Sequence, residues 1–262
     1  MAFELPTWVP DWLFILSYPS AALVLLWIVH RTFQRFAPNW RLEDRDENMA
    51  AGGIASAVAI SGIVLAFVLA QTTQASDTYQ ADVTVEAAQI RALGKQLNAY
   101  NSDEATTCQP LLLAYTNSIV TDEWPMLAQQ TGSAITTNKL KALDQCLISL
   151  KSTDTRQVAL YVQLLNTGDK LAQLRETRII NSGASLSGLF WGVMHLGLFL
   201  IVIVTALAFY TPGPIRVINC SIQIISLSLL YALVLILDHP FSGANAVSSA
   251  PILDTISHLT KN

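Results

Sequence analysis

The sequence predicts an all-α integral membrane protein with four transmembrane helices and an extracytoplasmic antiparallel helical bundle. Three observations carry that class. Of 262 residues, 52% are hydrophobic and 13% charged, against about 25% charged in an ordinary soluble chain. Asp, Glu, Lys and Arg are absent from residues 12–30, 48–76, 179–215 and 217–237, and roughly 20 apolar residues at about 1.5 Å each cross the hydrocarbon of a bilayer. Between the second and third gaps, apolar residues recur at helical spacing, without sustained strand-type alternation. The expected divisions are 1–76 (tail, first span, cytoplasmic link, second span), 77–178 (extracytoplasmic helical domain), 179–237 (hairpin of the third and fourth spans) and 238–262 (C-terminal tail).

Met1 to Asp11 carries Glu4 and Asp11 and no basic residue, unlike the head of a cleavable signal peptide, so the first span is expected to be retained. That span runs from Trp12 to His30, and Tyr18-Pro19 is expected to kink or start it, because proline removes a helix hydrogen bond. In the link from Arg31 to Glu47, Phe33, Phe36 and Trp40 alternate with Arg31, Arg35 and Arg41. Such a pattern suits either an interfacial segment, with rings at headgroup depth, or a solvated linker. The second span, about Ala50 to Gln71, is dense in small residues, among them Gly52, Gly53, Ser56, Ala59, Ser61, Gly62 and Ala66. Small residues let helix backbones approach closely in lipid, so this span is expected inside the bundle.

Nothing breaks the helix after Ala70, and Tyr79, Val83, Glu86, Ile90, Leu93, Leu97 and Tyr100 recur at steps of four and three. This heptad seam predicts continuation by about 36 Å beyond the membrane. Helices at Gln109–Leu127, Ile135–Leu150 and Val158–Arg178 complete an antiparallel four-helix domain that runs into the second and third spans. The domain holds 11 acids and 9 bases, too balanced for a strong field. The third and fourth spans, about Leu186–Tyr210 and Arg216–Leu237, are joined by Thr211-Pro212-Gly213-Pro214, a tight turn. Ala184, Gly188 and Gly192 form a second close-approach face. The tail carries an amphipathic stretch, Pro251 to Leu259, with Ile252, Ile256 and Leu259 on one side.

Arg31, Arg35, Arg41 and Arg45 in the first link and Arg216 near the hairpin place those loops in the cytoplasm, and so both termini and the helical domain in the periplasm of a bacterial inner membrane. Cys108 and Cys146 lie beside one another if their helices form a hairpin turning near residues 127–133. They read as a disulfide, which in the chain-entropy model contributes up to roughly 4 kcal/mol and needs an oxidising compartment, or as two free buried thiols. Cys220 is expected to stay reduced.

Chemistry is sparse. A net charge of −4 offers no basic surface for nucleic acid, and the phosphate-loop, zinc-protease and nucleophile-elbow motifs are absent, which argues against an enzyme. No cofactor or metal is expected; Asp254 and His258, one turn apart and close in sequence to Asp238 and His239, make too small a set. His195 falls mid-span, where it serves either a functional path or a neutral hydrogen-bonded role. Glu86 occupies an apolar seam position; it reads as a buried partner of Arg175 or Arg178, or as a vestibule charge in an oligomer. Ser221, Gln223, Ser226 and Ser228 in the fourth span, with Ser56 and Ser61 in the second, are candidates for an ion pathway, although serines also bond to their own helix.

Two stretches carry a resemblance. Leu237-Asp238-His239-Pro240-Phe241-Ser242-Gly243, with Val247-Ser248 and Pro251, is similar to the Leu-Asp-x-Pro-Phe-x-Gly ending of the bestrophin-like domain-of-unknown-function family of bacterial membrane proteins. Gly62 to Phe67, followed by Tyr79, Ala81, Val83, Glu86-Ala87 and Leu93, resembles that family's second span and its extension. The resemblance implies a homo-oligomer of four-span subunits with an ion-conducting role. It does not include the glycine and phenylalanine pattern of a true bestrophin pore neck, so chloride selectivity and calcium gating are not implied, and His239 stands where the family leads one to expect arginine. The function expected is thus an oligomeric channel or permease for small ions in a lipid bilayer, with the external helices as vestibule. The alternative is a periplasmic sensor or a membrane assembly scaffold acting through a partner.

Overall fold

In the computed structural model the described residues are 11–36, 44–208, 214–243 and 246–261. The N-terminal residues 1–10, the link residues 37–43 with Trp40 and Arg41, and Thr211, Pro212 and Gly213 of the hairpin lie outside them. The described chain is helical: α1 Asp11–Phe36, α2 Asp44–Tyr100, α3 Asp103–Ser118, a π-helical turn Ile119–Glu123, α4 Trp124–Leu127, α5 Ala134–Ser149, α6 Thr155–Ser182, α7 Gly188–Ala208, α8 Pro214–Leu237 and α9 Ala250–Leu259. Among the described residues, four stretches are long and apolar enough to cross a membrane: Ile15–Phe36, Asn48–Tyr100, Gly188–Leu207 and Val217–Leu237. Each overlaps one of the four charge-free gaps, the second running on past its gap to Tyr100. Pro19 lies inside α1, so the first span does not start there.

The chain divides into two compact units. The first, Met1–Gln74 with Ser185–Asp238, holds the membrane segments. Its core is apolar: Leu65 and Val68 of α2 meet Ile201 of α7 and Leu227, Tyr231 and Val234 of α8, while Ala22 of α1 packs with Val202 and Ile224. One side of α2, through Ile54, Leu65 and Val68, is buried. The small residues occupy the rest. Among the described residues, a Cβ placed at Gly52, Gly53 or Gly62 would meet nothing within 4 Å, and the same holds at Gly188, Gly192 and Gly197 of α7. Within the single chain, one side of the second span therefore lies in the bundle: bulky side chains fill that inner side, and among the described residues the small ones leave the outer side free to approach something else.

The second unit is Ala75–Ala184 with His239–Asn262. Val83, Ile90, Leu93, Leu97 and Tyr100 of the heptad seam are buried together against Cys108, Leu112, Tyr115 and Ile119 of α3 and the turn after it, Leu143 and Leu147 of α5, and Leu164 and Leu171 of α6. Side-chain caps start the helices where the chain turns: Ser102 Oγ accepts from Ala105 N at 3.1 Å and Asp154 Oδ1 from Gln157 N at 2.7 Å. Cys108 and Cys146 form a disulfide between α3 and α5, with Cα atoms 5.7 Å apart. Helix α9 supplies Ile252, and the segment before it supplies Phe241 and Val247, to the same core. The side chain of Gln80 holds that segment, accepting from Ser248 N at 2.7 Å and donating to Ser248 O. Periodicity marks α9 as amphipathic without indicating which surface it covers.

Candidate functional site

In the membrane unit, polar groups meet at the junction of α7 and α8. Asp238, at the end of α8, is buried and accepts from Leu186 N at 2.6 Å and from the Trp191 indole Nε1 at 3.0 Å. A carboxylate on the amide ahead of α7 also complements the positive end of that helix. The Trp191 ring meets Tyr231 edge-on at 5.4 Å, and Tyr231 Oη lies 2.7 Å from His195 Nδ1. His195 Nδ1 is also 2.7 Å from the Trp191 carbonyl. In the Nδ1–H tautomer that nitrogen donates to the carbonyl or to the phenol oxygen, and in the Nε2–H tautomer it accepts the tyrosine proton. The sequence offers no carboxylate partner for His195; what the structure places beside it is a phenol from α8, a residue that periodicity alone reads as core.

The candidate pathway residues do not form one line. Ser56 is exposed and donates to its own helix at Gly52 O, 2.9 Å away. Ser61 is half-buried, on the Leu65 and Val68 side of α2, opposite Ser56. In α8, Ser226 is exposed and Gln223 half-buried, whereas Ser228 is buried and Ser221 half-buried. At about 100° per residue, Gln223 and Ser226 share one side and Ser221 and Ser228 the other. The open side of α2, running through Gly52, Ser56, Ala59, Ile63 and Phe67, exposes 71% of Ile63 and 64% of Phe67.

In the second unit, four charges are buried together. Glu86 is 1% exposed and takes both a 2.8 Å bond from Arg178 Nε and a 3.1 Å bond from Arg178 Nη2. Arg178 Nη2 reaches on to Glu123 at 2.9 Å, and Arg175 Nε donates to both oxygens of Glu123 at 3.0 and 3.2 Å. Arg175 also donates to Thr137 Oγ1 at 2.9 Å. Two acids and two bases cancel, Glu86 takes two bonds from Arg178, and Glu123, Arg175 and Arg178 each reach more than one partner, an arrangement that offsets the cost of burying charge. Burial alone would lower the Arg178 pKa, but the charge and hydrogen bond of Glu86, with the charge of Glu123, hold it above its ordinary value. Tyr115 beside them is pushed well above the usual phenol range by burial first and by the negative charge of Glu86 second.

The sequence points to Glu86, Arg175 and Arg178, whereas Glu123 escapes a reading by seam alone. A signal for it exists, since Tyr115, Ile119 and Glu123 recur at steps of four, an acid prolonging an apolar stripe as Glu86 does. The tail motif supports the same cluster. Phe241 stacks on Tyr79 at 6.4 Å and meets Trp124 edge-on at 6.0 Å, and the Arg178 guanidinium lies 5.5 Å above the Trp124 ring. Gly243 has φ 82°, a conformation that costs a side chain dearly, and Pro240 O accepts from Val247 N at 2.8 Å. Among the described residues no three His, Cys, Asp or Glu side chains gather as a metal group. Asp254 pairs with His258 at 3.6 Å and with Arg91 at 3.7 Å.

Comparison with known proteins bears on this arrangement. A Bestrophin-like domain model matches residues 16–252. Crystal structures of two variants of a bacterial bestrophin homologue from Klebsiella pneumoniae superpose with TM-scores of 0.60 at 15% identity, covering 95% of this chain and 99% of theirs in one case, and 94% and 96% in the other. The crystal structure of a membrane protein variant aligns equally well, at TM-score 0.60 and 15% identity over 94% of this chain and 97% of that one. No curated protein sequence matches.

Proposed function

We propose, from the premise that this chain belongs to the bestrophin-like family, that copies of it assemble around an axis into a channel for small ions. The observation that carries the reading is the open side of α2. An added Cβ at Gly52, Gly53 or Gly62 would meet no described atom within 4 Å, and a face of Gly, Ala and Ser gains little from lipid but much from close helix approach. With α2 turned to the axis, Ser56 meets the path and Ile63 and Phe67 narrow it, the kind of apolar constriction that gates by excluding water. The helices of the second unit then form the vestibule. Glu86 is read as half of a buried structural pair rather than as a vestibule charge, because its carboxylate is taken up by Arg178.

We place the helical unit and both termini in the periplasm, with the short links in the cytoplasm, since the Cys108–Cys146 bond persists in an oxidising compartment and is reduced in a cytosol. The test of conduction is ion flux in liposomes. Ile63→Ser, which wets the constriction, raises flux severalfold over the parent. If tight, correctly sized oligomers pass no ion in either form, the conduit is wrong and a sensor or scaffold takes its place. Orientation is tested by Thr131→Cys in intact spheroplasts: a membrane-impermeant maleimide labels it, whereas protection until lysis puts the domain in the cytoplasm.

A further inference from the structure

We propose that the cleft between α2, α3 and α9 is a binding site for a small carboxylate with an apolar body. The cleft has a volume of about 480 Å³, within the range of small-ligand sites. Its floor is apolar, made by Leu112, Leu113 and Leu259. Gly94 shapes that floor: a Cβ there would sit 2.8 Å from Leu259 Cδ2 and push that side chain aside, so glycine leaves room for Leu259 against α2. The rim carries two cations, Arg91 and Lys95, one turn apart on α2, and His258 lines it from α9.

The balance of charge at the rim favours an anion. Asp254 is shared between Arg91 and His258, and Arg91 Nη1 is steadied by Thr255 Oγ1 at 3.0 Å. Lys95 has no ion pair among the described residues. Gln109 donates to Asn98 Oδ1 and so uses that amide's acceptor, leaving its N–H groups as further donors in the lining. A single positive charge in excess above leucines suits one carboxylate on an apolar body. A strongly hydrated inorganic dianion would gain nothing from the floor. Bound there, the carboxylate bridges α2 to α9 and fastens the tail helix.

The experiment uses the full chain in nanodiscs, with empty nanodiscs subtracted, and follows the fluorine resonance of 4-fluorobenzoate. Protein broadens that resonance, while the neutral isostere 4-fluorobenzamide stays sharp, and benzoate slows amide exchange in α9. Lys95→Gln, a change of charge at the rim, weakens binding about threefold to fivefold, as expected for a partly exposed ion pair. Leu113→Trp, which fills the floor, abolishes it. Equal broadening of the benzamide, or affinity unchanged in Lys95→Gln, overturns the proposal. So does inorganic phosphate displacing benzoate at equal concentration, which would make the cleft a phosphate site.

Discussion

The two units of this molecule handle the same problem, too much apolar surface and a few charges, in opposite ways. The second unit builds its own core: its seam is buried, its ions are paired inside, a disulfide ties α3 to α5, and α9 packs Ile252 into the same core. The membrane unit leaves its surface open, with Trp27, Ile63, Phe67, Leu189 and Ile215 among its exposed apolar side chains and its glycines uncovered. Water punishes an exposed leucine and tolerates a paired charge, whereas lipid reverses both preferences. Self-sufficiency in one unit and incompleteness in the other follow from the solvent each faces, and the incomplete one is where further copies are to be sought.

Substitutions test how far that contrast goes. The largest effect is expected from Arg178→Met, which strands Glu86 in the core; removing one partner of a buried pair costs about 3–5 kcal/mol. Thermal unfolding of the purified protein measures it, and adding Glu86→Leu should recover most of the loss. If the double variant is no better than the single, the charges are not the reason for the cost. Next comes the disulfide: Cys108→Ser with Cys146→Ser should lower stability by about 2–4 kcal/mol, and a reductant should do the same to the parent and nothing to the variant. Smallest in folding terms is Gly52→Leu. The side chain enters open space, so the subunit keeps its melting temperature within about a degree or two, yet the particle size by light scattering falls. An oligomer that stays intact with this added bulk would move the contact surface elsewhere on the chain.

Much of this architecture is legible in the order of the residues. Charge-free gaps mark the spans because a bilayer rejects ions wherever they fall, and the seam from Tyr79 to Tyr100 shows its buried side because helical spacing survives over many turns. Three things stay hidden for physical reasons. Glu123 ends a π-helical turn, which shifts the phase on which periodicity depends. His195 finds Tyr231 across two helices, and sequence spacing cannot register one helix on another. The small-residue side of α2 is plain as a pattern, but pattern states only that close approach is allowed, not whether the neighbour is the same chain or another.

Docking of α9 has a consequence for biogenesis. The residues from Ala75 to Ala184 leave the ribosome well before Ile252, and α7 and α8 must be made and inserted in between. Until then the nascent domain has its ion cluster and leucines but lacks Phe241, Val247 and Ile252, and it has to wait, half-lidded, for a piece of chain delivered after the last membrane crossing. A stop codon just before Ala250 would therefore be felt not as a missing tail but as a folding defect far upstream, around Ala87, whose carbonyl accepts from Thr255 Oγ1.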